Sequence, residues 1–184
     1  MKKITICLVL ALLCLNFNLI AQQNNFKRLN IGDRFPNLTF DNVLNHKSET
    51  LELSNFKGKA IIIDFWATYC GTCISVLPHL KQFQTKHKKN LQFILFDTDL
   101  RQTKDIINNF LEKQKKEFAE VIFPIVTKDQ RIFSLFPHKS IPHYVWIGAD
   151  GRIKAITGVD ELTSVNIERL IAGLSLSLPI KEGI

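Results

Sequence analysis

Two cysteines three residues apart, Cys70 and Cys73, fall where a β-type apolar run gives way to a helical pattern. That junction limits what the chain can become. Ile61, Ile62 and Ile63, followed by Phe65 and Trp66, form a β-branched and aromatic run of the kind buried on both faces of a sheet. From Cys73 onward Ile74, Leu77, Leu80 and Phe83 recur at helical spacing, which predicts a strand over about 60–66 and a helix over about 71–88. A Cys-x-x-Cys at a helix start carries its own chemistry. The helix dipole and the free N–H groups of the first turn stabilise a thiolate on the first cysteine. The second cysteine lies one turn on, within reach to close a disulfide. The pattern predicts a dithiol–disulfide exchanger.

The other two cysteines, Cys7 and Cys14, belong to a different kind of segment. Lys2 and Lys3 precede an apolar run from Ile4 to Leu15, and Leu19-Ile20-Ala21 stands before four polar residues. That layout reads as a secretory signal peptide over 1–21, cleaved after Ala21, with an uncleaved membrane anchor as the alternative. Removing it takes two of the 24 basic residues and none of the 17 acidic ones, so the formal charge falls from +7 to about +5. It also leaves Cys70 and Cys73 as the sole pair. An exported protein lives where disulfides persist, and this one has no cysteines to spare for a structural staple. The basic cluster Lys81, Lys86, His87, Lys88 and Lys89 sits at the expected end of the first helix, where positive charge complements the dipole. It reads as a solvated helix end, and no nucleic-acid partner is expected.

The 184 residues, 46% apolar, suffice for one domain with a full core. Residues 22–30 read as a loose lead, 31–174 as the domain and 175–184 as a tail. Phe35, Leu38 and Phe40, then Leu51 and Leu53, suggest two short strands of a hairpin, with Asp41–Glu49 as a polar turn between them. Leu91–Phe96 is a second strong strand, and Ile106, Ile107, Phe110 and Leu111 mark a helix over about 101–117. Val121–Val126 is β-like, with Pro124 arguing for an edge or broken strand. A short helical turn follows at Arg131–Phe136. Ile141-Pro142 leads into a third strand through Ile147, and Asp150-Gly151 marks a hairpin to Arg152–Thr157. A helix is expected from about 161. His138 and His143 find no partners in the pattern and read as surface residues. The order defines an α/β fold, a central mixed β-sheet flanked by helices.

At Asp64-Phe-Trp-Ala-Thr-Tyr-Cys-Gly-Thr-Cys73, with Pro78 five residues on and Ile141-Pro142 far downstream, the chain resembles the thioredoxin superfamily. More narrowly, it resembles the exported TlpA/ResA-like thiol–disulfide oxidoreductases. The resemblance implies a thioredoxin-like fold with an N-terminal β-hairpin extension and an inserted helix, for which 101–117 is the candidate. It implies Cys70 as the attacking thiol and Cys73 as the resolving one, closing a redox-active disulfide. It implies Pro142 as the cis-proline opposing them, and Ile141 as the residue whose backbone pairs with an extended substrate. Asp64 matches the buried acid of thioredoxins. Two positions depart from the family: Val76 stands where a glutamate is frequent, and Thr72 where thioredoxin has proline.

A carboxyl raised by burial can take the proton of the resolving thiol, and Asp64 in an apolar strand is placed to do so. Gly71 leaves room beside the sulfur, and Trp66, Tyr69 and Thr72 complete the expected substrate contact surface. Zinc is the rival use of two cysteines, but His79 and His87 stand about 80° apart around one helix. A structural site wants four converging ligands, so no metal and no other cofactor is expected. A peroxiredoxin would carry Pro-x-x-x-Thr-x-x-Cys. Ile63 and Ala67 occupy those two positions here. A non-catalytic thioredoxin-like module is the other alternative. The expected activity is exchange with protein dithiols and disulfides in the cell envelope, in the reductase direction, by a monomer fed by a membrane electron donor.

Overall fold

A computed structural model describes residues 26–115 and 123–181. The stretch read as a signal peptide, the last two residues expected in the inserted helix and the first two of the Val121–Val126 run lie outside the described residues. The strands are β1 (Thr39–Phe40), β2 (Val43–Leu44), β3 (Leu51–Glu52), β4 (Ala60–Phe65), β5 (Leu91–Asp97), β6 (Ile125–Thr127), β7 (His143–Ile147) and β8 (Ile153–Thr157). The helices are α1 (Gly71–Lys86), α2 (Lys104–Lys113), α3 (Gln130–Leu135) and α4 (Ser164–Ile171).

Six strands form one sheet in the order β2-β6-β5-β4-β7-β8. β4 is parallel to β5 and antiparallel to β7, so the sheet is mixed. All six residues of β4 are buried. Ile61, Ile63 and Phe65 enter one core cluster, and Ala60 and Ile62 enter the other, joined by Trp66 just beyond the strand. This two-sided burial explains why the run is uniformly apolar and does not alternate. Leu77 and Leu80 of α1, Ile107 of α2, and Ile167 and Leu170 of α4 cover the second face. The first face is covered by Ile132 and Leu135 of α3 together with the β1–β3 pair. Each fully buried side chain of this size stabilises the fold by about 1.5–3 kcal/mol.

Four local expectations change. The stretch 41–49 contains β2, whose Val43 is buried and pairs with Val126. Asn42 and Asn45 flank it in the left-handed region, at φ 57° and 51°, and two residues are too few to show a period. β6 is therefore not the edge strand, because β2 covers it. Pro124 lies just ahead of β6 and contributes only its carbonyl, which accepts the Leu95 N–H at 2.9 Å. The described part of the lead, residues 26–30, is tied down: Phe26 and Leu29 pack on the first core cluster, and the Leu29 N–H donates to the Leu135 carbonyl at 3.0 Å. The tail also folds back. Leu176 and Leu178 pack on the second cluster, and the Lys181 N–H donates to the Ile156 carbonyl at 2.9 Å.

Candidate active site

Cys70 and Cys73 form a disulfide with their Cα atoms 5.3 Å apart. Cys70 is the N-cap of α1, and the Cys73 N–H donates to its sulfur at 3.2 Å. That bond follows from position: an N-cap side chain faces the unpaired N–H groups of the first turn. The same groups and the helix dipole favour negative charge on Cys70 once the disulfide opens. Cys70 is half-buried and Cys73 fully buried. An incoming sulfur can reach only the first.

The loop ahead of Cys70 is pinned by a buried side chain. Gln102 accepts from the Thr68 hydroxyl at 2.8 Å and from its N–H at 3.4 Å. Trp66 lies in the core, 2% exposed, with Phe110 at 5.5 Å, so it is a wall of the site and not a surface platform. Tyr69 projects outward, 60% exposed, and donates its hydroxyl to Asp99 at 2.7 Å. Arg101 pairs with the same carboxylate at 2.7 Å. The Arg101 guanidinium and then Tyr69 hold the Asp99 carboxyl well below its usual range, while the Asp99 hydrogen bond raises the Tyr69 hydroxyl. Gly71 and Thr72 are exposed, and a Cβ added at Gly71 would meet nothing within 4 Å. Val76 packs against the core, where the family's acid is absent.

Asp64 is fully buried in β4. Strand alternation places its side chain between those of Ile62 and Trp66, on the face that holds Cys73. Burial pushes its carboxyl up to about 8, with the nearby Tyr144 hydroxyl drawing it back slightly. Neither carboxyl oxygen, nor that hydroxyl, completes a well-formed hydrogen bond among the described residues. The acid is therefore neutral near pH 7 and able to exchange a proton. Asp97, at the end of β5, is pushed up to about 6 by burial, and its Oδ2 is also unpartnered among the described residues.

The peptide between Ile141 and Pro142 is cis. Tyr69, Trp66 and Ala67 on one side, and Ser140 and Ile141 on the other, line a groove of about 330 Å³, with Asp97, Asp99 and Gln130 along it. The cysteine loop and the proline loop, about 70 residues apart in sequence, thus meet at one cleft. The register explains it, because β4 and β7 are neighbours with Phe65 opposite His143.

Behind the proline loop sits a cluster that periodicity could not reveal. His138 and His143 are both buried, correcting their reading as surface residues, and their rings stack at 4.8 Å. Phe65 lies 4.5 Å from the first and 5.6 Å from the second. Burial drives His143 down to about 3, helped by the charges of His138, Lys181 and Arg28. The Lys181 ammonium donates to the Ser140 carbonyl at 2.9 Å and to the Pro142 carbonyl at 2.6 Å. Burial lowers that ammonium below the usual lysine range. No sequence signal marked Lys181, which stood in a segment read as a tail.

A sheet of this order carrying a Cys-x-x-Cys disulfide at the start of α1 defines a thioredoxin-like redox protein. The chain belongs to the Redoxin family, which it matches over residues 30–171. It is a TlpA/ResA-like member of the thioredoxin superfamily, and by class a thiol–disulfide oxidoreductase. It is similar to the thiol-disulfide oxidoreductase ResA of Bacillus anthracis, 27% identical over 128 residues, covering 69% of each chain. A thioredoxin-family thiol:disulfide interchange protein from Chlorobium tepidum shares its fold, with TM-score 0.62 at 18% identity over 79% of this chain and 97% of that one. The exposed lipoprotein thioredoxin of Streptococcus pneumoniae does so with TM-score 0.61 at 17% identity, over 76% of this chain and 100% of that one.

Proposed function

We propose that the chain reduces disulfides in other proteins outside the cytoplasm. One observation carries this reading: the half-exposed Cys70 caps α1, while Cys73 is buried on the same face as the raised carboxyl of Asp64, which has no hydrogen-bond partner among the described residues. In the reduced state the Cys70 thiolate attacks one sulfur of a substrate disulfide, releasing the other as a thiolate and leaving a mixed disulfide. Cys73 then gives its proton to Asp64 in the minor fraction of molecules whose carboxyl is ionised near pH 7, and attacks Cys70. The substrate departs as a dithiol, and the Cys70–Cys73 disulfide re-forms with two electrons passed on. Ile141, next to the cis-linked Pro142, presents the opposite wall of the cleft, where its backbone pairs with an extended chain. Tyr69, Gly71 and Thr72 form the exposed surface on the cysteine side, backed by Trp66.

Resemblance to the TlpA/ResA-like group and the Gly71 start of the intervening dipeptide support the reductase direction. A membrane electron donor then returns the pair to the dithiol. The amino-terminal Lys2-Lys3 and apolar run, with the likeness to an exposed lipoprotein thioredoxin, support an extracytoplasmic location. No helix among the described residues is long and apolar enough to cross a membrane. The protein works as a monomer. Two measurements test the reading. The Cys73→Ser variant, unable to resolve, accumulates mixed disulfides with substrate proteins, and Cys70→Ser accumulates none. The reduction potential of the pair falls near about −270 mV, as in thioredoxin, and a value near about −120 mV would reverse the direction.

A further inference from the structure

Lys181 reaches the rear of the proline loop from the far end of the chain. Its backbone is pinned by the N–H donation to Ile156 on β8, and the preceding Leu176 and Leu178 are seated on the core. Its side chain therefore approaches from a fixed base. The two carbonyls it engages belong to Ser140 and Pro142, one on each side of Ile141. Both are charge-assisted bonds, about twice as strong as neutral ones. Among the described residues no backbone hydrogen bond ends on Ile141 itself.

We propose that Lys181 is a positioning residue for polypeptide substrates, holding and polarising the backbone of Ile141, a residue that lines the cleft. The Ser140 carbonyl and the Ile141 N–H belong to one peptide unit. An ammonium on that oxygen draws electron density from the amide and makes its N–H a stronger donor, by the cooperativity of linked hydrogen bonds. The second bond, to Pro142, fixes the other side of the same residue. The loop carries exposed Lys139 and Ser140 and has no helix or strand of its own before β7, so this bridge supplies order that the ladder does not. The effect acts only on partners that pair with a backbone. It rests on the exchange reading above.

The test is single-turnover oxidation of the pre-reduced full chain, monitored by formation of the Cys70–Cys73 disulfide in quenched, alkylated samples. Two oxidants are compared: a disulfide-bonded peptide, and hydroxyethyl disulfide, which has no peptide backbone. Lys181→Met slows the reaction with the peptide about tenfold, the equivalent of one charge-assisted hydrogen bond, and leaves the small disulfide within about twofold. Lys181→Arg, which can still bridge two carbonyls, recovers most of the loss. Equal losses with both oxidants, or no change with either, overturn the proposal. A wild-type chain inert towards both oxidants overturns the exchange reading instead.

Discussion

Asp64 stands directly opposite Tyr144 across the β4–β7 ladder, on the face of the sheet that carries Cys73, and the two polar groups share one buried site. Burial governs both: it pushes the carboxyl up to about 8 and the phenol well above its usual range.

The first prediction follows from that burial. The folded state holds a proton on Asp64 up to about pH 8, whereas an unfolded aspartate releases it near about pH 4. Between those limits the unfolded chain binds fewer protons, so stability falls as pH rises. Asp64→Asn removes this penalty. The oxidised variant gains melting temperature over wild type at pH 8 and shows little difference at pH 4. The same variant resolves mixed disulfides more slowly, because Cys73 loses its proton acceptor. An equal gain at both pH values would contradict the assignment.

His143 behaves in the opposite sense. Its folded value, about 3, lies below the ordinary 6.5, so acid favours the unfolded chain as pH drops from about 6.5 towards 3. The charges pressing on it come from His138, Lys181 and Arg28. His143→Phe keeps an aromatic ring beside Phe65 and removes the titration. Denaturant melts of this variant at pH 4.5 and 7 are expected to differ less than those of wild type.

Tyr69 is exposed but anchored to Asp99. Tyr69→Phe frees the ring from its tether while leaving the core untouched. Stability is expected to change by less than about 0.5 kcal/mol, as for most surface changes. The kcat/KM with a protein disulfide is expected to fall about threefold, through loss of an ordered contact surface worth under about 1 kcal/mol. Parallel melts and insulin-reduction assays separate the two effects.

The returning carboxyl-terminal segment gives the fourth prediction. Leu178 is half-buried against the second core cluster, so Leu178→Ala costs about 1 kcal/mol, less than a full core truncation. For a domain of this size that is about 2–4 °C in melting temperature. A dispensable tail would show no shift by calorimetry.

Much of this architecture was legible because its signals are local. The uniform burial of β4 showed as a β-branched run, α1 as a helical period starting at Cys73, and the β7–β8 turn as Asp150-Gly151, where Gly151 sits at φ 75°. The site was legible through the same junction. Trp66 was readable as an aromatic near the cysteines, but burial makes it a wall, and only packing could decide that. β2 escaped because two residues carry no period, and its partner Val126 lies 83 positions away.

His138, His143 and Lys181 mark the deeper boundary. His138 and Lys181 are polar side chains in stretches without apolar alternation, and His143 is the polar first residue of an apolar strand, so that polarity by itself reads each as exposed. Their burial comes from a chain that returns from β8 and α4 to cover the back of the proline loop. Local sequence, acting through neighbours three or four residues away, determined the reactive helix start and its disulfide chemistry. Tertiary structure alone decided which polar groups lost their water, because desolvation depends on what the distant chain lays over them.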